Sequence, residues 1–221
     1  MQLPFTHDQF LDLFGDYNRA LWPALILLWG VTLASTVAAF RRRRNTDRLV
    51  TIMLTVQWAW NAVVYHLMFF RRINRAAAAF GILFLVQAGL LVWRGIARSA
   101  LSYEGKSSGW RTLGIGLIVY AMLYPALGIV FGLSYPRLPV VGVPCPTTIL
   151  TAGFLLLAPR RETRVLGWIP ILWAGIGGSA AFLLGIRADL ALPVAGLLVV
   201  GRMLAPDSID DADSSRSVLP T

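Results

Sequence analysis

Six stretches of the 221-residue chain, 20–40, 49–70, 76–93, 113–136, 138–159 and 165–186, contain no Asp, Glu, Lys or Arg, and each runs for 18 to 24 residues. A bilayer core about 30 Å thick takes roughly 20 apolar helical residues to cross, so each stretch reads as a membrane-spanning helix. Lipid offers no partner for backbone N–H and C=O groups, which restricts spanning elements to helices and closed barrels. Continuous apolar runs lack the alternation of a barrel strand. The predicted fold class is therefore all-α, a polytopic membrane helix bundle. A seventh stretch, 190–201, has only 12 residues before Arg202 and becomes a short last span if Arg202 reaches back to the headgroups.

Charged residues make up 14% of the chain, against about 25% in an ordinary soluble domain. The formal charge of +9 sits in the gaps between apolar runs, where it orients a membrane protein, so the lipid bilayer rather than nucleic acid is the expected partner. With the N-terminus outside, Arg19, Arg71, Arg72, Arg75, Arg137 and Arg187 lie outside and the other fourteen of the 20 Lys and Arg lie inside. That bias predicts an external N-terminus and a cytoplasmic C-terminus.

The opening residues have no basic region or cleavage signal and read as retained. Residues 1–19 are predicted to form an amphipathic interfacial segment: Thr6 and Gln9 have capping-box spacing, and Phe10, Leu13, Phe14 and Tyr17 recur at helical spacing. Asp8, Asp12 and Asp16 share one face and are candidates to pair with the Arg71, Arg72 and Arg75 cluster or to remain solvated. Residues 20–205 form the bundle, and 206–221 read as an acidic disordered tail.

None of the six long stretches holds a carboxylate, which argues against a carboxylate-based proton pump. The titratable candidates are His66, Cys145 and the tyrosines. Gln57, Asn61 and Tyr65 recur every four residues on the second span, a stripe that suits either interhelical bonding or a ligand. In the fifth span, Pro144-Cys145-Pro146 breaks any helix running from Leu138, and a new helix starting at Pro146 would be about 20 Å long with its N-terminus at membrane depth. Cys145, Thr147 and Thr148 would then line an outward-facing pocket, at a helix end that attracts anions. Tyr124 lies opposite on the fourth span, where Gly128 and Gly132 have the spacing of a packing patch. His66 falls at a similar depth to Cys145, which raises soft-metal handling as an alternative, although two ligands fall short of a closed site. No catalytic triad, phosphate loop or metal motif is present, so enzyme activity has no positive support, a membrane enzyme acting on lipid or thiol stays a third hypothesis, and no cofactor is expected.

The segments PFTHDQFL (4–11), YNRALWP (17–23), WNAVVYHLMFF (60–70) with Ile73 and Asn74, and GVPCPTTI (142–149) carry a resemblance. The chain resembles the bacterial integral-membrane family catalogued as domain of unknown function 6064, some of whose members are labelled permeases. The resemblance implies a membrane location and no mechanism. The leading expectation is a bacterial inner-membrane permease or ligand-binding module with a small-molecule pocket between spans two, four and five, lined by Asn61, Tyr65, His66, Tyr124, Cys145, Thr147 and Thr148. A structural or partner-scaffolding membrane protein is the alternative. Homo-oligomerisation stays open.

Overall fold

The computed structural model describes residues 4–41 and 45–205; the acidic tail expected over 206–221 lies outside the described residues. Among the described residues the chain is helical and has no strands. In order, the elements are α1 (His7–Phe40), α2 (Thr46–Trp60) continued by π-helical Asn61–Phe69, α3 (Ala77–Leu91) continued by π-helical Val92–Ala97, α4 (Ser108–Met122), α5 (Tyr124–Val130), α6 (Pro144–Leu157), α7 (Arg160–Leu166), α8 (Trp168–Leu184) and α9 (Ala191–Leu204).

Two helices, His7–Phe40 and Ala77–Ala97, are long and apolar enough to cross a membrane, or up to four if each bent pair is one span. The bent pairs are α4 with α5, turning by 65°, and α7 with α8, turning by 55°. Uncharged sequence therefore overstates helix length. The 113–136 stretch breaks after Met122, because Pro125 begins a new helix at its first turn, where the missing N–H costs no hydrogen bond. Residues 131–143 are irregular.

The fifth stretch also breaks where expected, but α6 starts two residues earlier than predicted, at Pro144. Both prolines fit inside the first turn, whose N–H groups have no intrahelical acceptor anyway. Every residue of α6 except Cys145 is buried, and the helix packs against α2, α4, α8 and α9 as the centre of the fold. The exterior is apolar: Phe182 is 78% exposed, Val130 77% and Leu197 71%.

Gly114 and Gly153 set the α4–α6 crossing, since a Cβ on Gly153 would lie 2.8 Å from the Gly114 carbonyl oxygen. The expected Gly128 and Gly132 patch does not do this. Gly128 would make only ordinary contacts, and Gly132 sits in a turn at φ +93° with open space around it.

The capping box at Thr6 and Gln9 is formed, and the interfacial segment runs into the first apolar stretch as one helix through Pro23. Its N-terminal third clamps the irregular chain ahead of α6. Asn18 Nδ2 donates to the carbonyls of Pro136 and Leu138 at 2.7 and 2.8 Å, and the Tyr17 hydroxyl donates to the Gly142 carbonyl at 2.7 Å. Arg137 pairs with Asp8 and Asp12, so the acidic stripe meets Arg137 rather than the Arg71 to Arg75 cluster. Gly142 sits at φ +83°, and a Cβ there would lie 2.7 Å from the Tyr17 hydroxyl, so both chirality and space require glycine.

The Trp60 indole N–H also donates to the Tyr17 hydroxyl, at 2.7 Å. Tyr17→Phe would strand the Gly142 carbonyl in a buried site and the Trp60 N–H in a partly buried one, and is expected to lower stability by about 1–3 kcal/mol. Thermal unfolding in detergent measures it; an unchanged midpoint would show that the clamp contributes nothing.

Candidate functional site

A cavity of about 300 Å³ lies between the N-terminal third of α1, the π-helical end of α2, α3, α5, α8 and the first turn of α6. Its walls are aromatic: Phe10 and Phe14 from α1, Tyr65 and Phe70 after α2, Phe80 from α3 and Trp173 from α8. They brace one another, with Phe10 edge-on to Phe14 at 4.8 Å between centroids and Tyr65 stacked on Phe70 at 5.7 Å.

The polar groups of the cavity include Tyr124, Cys145 and Asp189. Asp189 is brought there by a reversal of the chain. Gly185 ends α8 in the left-handed conformation at φ +68°, a common C-terminal stop, and the 3-10 turn Arg187–Leu190 folds beneath the cavity. Tyr120 fixes the turn by donating to the Ala188 carbonyl at 2.8 Å, and the Tyr124 hydroxyl donates to the Asp189 carboxylate.

The Asp189 carboxyl also faces the Cys145 thiol. It is 4% exposed and forms no ion pair with any described Lys or Arg. Burial pushes its pKa up to about 6, against the smaller opposing effect of bonds from Tyr124 and Cys145. Because the folded value lies above the ordinary 3.8, protonation favours the fold. That contribution is complete below pH 3.8 and is lost as pH rises through about 6.

Of the seven residues expected from sequence, three line the cavity and four do not. Tyr65, Tyr124 and Cys145 line the cavity. His66 stands behind its wall, fully buried among Tyr65, Phe70, Phe80, Phe84 and Trp173, with neither ring nitrogen hydrogen-bonded.

Asn61 and Thr147 belong instead to a buried network that ties α1, α2 and α6 together. Gln57 Nε2 donates to Thr32 at 2.6 Å, and Asn61 Nδ2 donates to Thr147 Oγ1 at 3.0 Å. Trp58 donates to Thr151 at 2.9 Å. Thr148 is buried with its hydroxyl unpartnered. The helix changes to π-type at Asn61, so Tyr65 leaves the face that Gln57 and Asn61 share.

Asp189 is the residue that sequence reasoning passes over. It sits in a gap between apolar stretches, where a charge is ordinary, and the nearest signal is the Gly185 stop three residues before Ala188. The helix end expected to attract an anion offers few backbone donors. Pro144 and Pro146 lack an N–H, the Thr147 N–H is directed at the Val143 carbonyl, and a carboxyl already stands at that turn. Among the described residues no group of three or more His, Cys, Asp or Glu is placed to hold a metal ion.

A larger cleft, about 690 Å³, opens to the exterior between α1 and the α4–α5 bend. Its lining is uncharged and mostly apolar, with Trp22, Ile26, Trp29 and Leu123 beside the polar Asn18 and Tyr135.

A family model described as a family of unknown function (DUF6064) matches residues 7–211. No curated protein and no solved structure matches the chain.

Proposed function

We propose that this chain, which belongs to the DUF6064 family, is a seven-span bacterial inner-membrane protein with an external N-terminus and a cytoplasmic C-terminus. In this reading it works as a small permease or ligand-binding module, and its ligand enters the aromatic cavity from outside. The bent pairs α4–α5 and α7–α8 then each count as one crossing, and the short α6 and α9 complete the set beside α1, α2 and α3. The apolar exterior and the charge bias of the loops support it.

The observation that carries the reading is the cavity, at about 300 Å³ the size of a small-ligand site, with apolar walls and few convergent polar groups. Phe10 and Phe14 of α1 line it, together with the polar Asn74 and Ser179.

Cys145 is the single cysteine, which makes the reading testable without background. In right-side-out vesicles a membrane-impermeant methanethiosulfonate is expected to modify Cys145, about tenfold more slowly than a reference cysteine at exposed Arg75 in a Cys145→Ala background. The delay reflects entry into the cavity and formation of the thiolate. No modification over hours, with full reaction after denaturation, would overturn the outward-facing cavity.

A further inference from the structure

We propose that the cavity takes a small organic monocation, such as a quaternary ammonium or protonated amine, whose positive charge is met by the Asp189 carboxylate and by the π-faces of the surrounding rings. The inference rests on the reading of the cavity as an outward-facing ligand site and names the ligand class.

Three observations converge on it. First, among the described residues the lining contains no Lys, Arg or His, and Asp189 is its one carboxylate. Its polar contacts, Tyr124 and Cys145, are neutral groups that cannot balance a negative charge. A carboxylate that deep is costly to ionise unless a cation accompanies it. Second, the walls are the surface that a desolvated cation prefers. Ring faces attract positive charge electrostatically, and Trp and Tyr do so best; Phe80 and Trp173 meet edge to face at 5.3 Å, with Tyr65 in the same wall. Third, an anion is disfavoured. The α6 turn that would have received one has lost two N–H groups to proline and already faces a carboxyl.

The arrangement also implies an exchange. Below about pH 6 Asp189 holds its proton in the free protein, since burial pushes its pKa up to about 6. When the cation enters, the O–H bond breaks, the proton leaves to the external solution, and the carboxylate pairs with the cation; charge in the cavity is unchanged. The groups that face Asp189 are Tyr65, Tyr120, Tyr124 and Cys145, all uncharged between pH 5 and 7 at ordinary values. Arg187, on the same turn, is exposed. His7 is bonded to the Leu184 carbonyl at the end of α8, and His66 lies behind Trp173. Asp189 is thus the group whose charge changes with the ligand, and affinity should fall about tenfold for each pH unit below about 6.

The test is calorimetry on the purified full chain with tetramethylammonium, choline and benzyltrimethylammonium as probes, and with 3,3-dimethylbutan-1-ol as the uncharged isostere of choline. At least one cation is expected to bind, the isostere to bind at least about tenfold more weakly, and buffers of different ionisation enthalpy to report proton release at pH 5. Asp189→Asn, which mimics the protonated carboxyl and keeps the Tyr124 bond, should abolish cation binding without lowering the melting temperature. If no cation binds while Cys145 is still modified from outside, the monocation inference is overturned and the outward cavity survives; equal binding of choline and its isostere has the same meaning. If Cys145 is also protected, both fail.

Discussion

Gly153→Ala is expected to lower the stability of the folded chain by about 2 kcal/mol, and Gly153→Val to abolish the folded form. A Cβ at this position would stand 2.7 Å from Ile118 Cγ1, 2.8 Å from the Gly114 carbonyl oxygen and 3.1 Å from the Ile118 nitrogen. Two of these three atoms are backbone, so the strain is relieved only by moving α4 away from α6. Overpacking of this kind costs about 1–3 kcal/mol, and alanine's better helix propensity returns about 1 kcal/mol or less. Valine adds two more methyl groups to the same contact.

The effect reaches the site, because α6 carries Cys145 at its first turn. Gly116, on the same helix as Gly114, is the control: it is exposed and a Cβ there meets nothing within 4 Å. Thermal unfolding in detergent with size-exclusion profiles should show Gly116→Ala at or slightly above the wild-type midpoint. Equal midpoints for Gly153→Ala and Gly116→Ala would refute the close crossing.

Glu162→Ala is expected to cost about 3 kcal/mol, the lower end of the range for breaking a buried ion pair. Arg94, at the π-helical end of α3, donates from Nε and Nη2 to the two carboxylate oxygens of Glu162 on α7, at 2.7 and 2.5 Å. Their side chains are 13% and 4% exposed. A bidentate pair at this depth is worth little against an apolar replacement, but removing one partner leaves a guanidinium with its solvation already given up. Arg94 keeps a little solvent contact, which places the loss at the lower end. The double variant Arg94→Met, Glu162→Met should recover most of the midpoint. A double variant no more stable than Glu162→Ala would show that the loss came from packing around α7 rather than from the stranded charge.

Features set by a few neighbouring residues were readable from the chain. The capping box at Thr6 follows from hydroxyl and amide reach over three residues. The break before α6 follows from proline's missing N–H, and only its register differed, because both prolines are tolerated in a first turn. Absence of charge overstates helix length: 131–143 is uncharged apart from Arg137, yet Gly132, Pro136 and Pro139 interrupt it. Arg94 and Glu162 look in sequence like ordinary loop charges, and 68 positions separate them.

Residue type and order alone settled that the chain is helical and apolar on its outside, since backbone groups surrounded by apolar side chains must bond within their own segment. Which side chains meet was settled only by packing. Asp189 joins Tyr124 across 65 residues, while Asn61 and Thr147 turn into a separate network. A left-handed glycine, a π-helical stretch and a close glycine crossing decide those meetings, and each acts by rotating or displacing a whole element whose partners lie far along the chain.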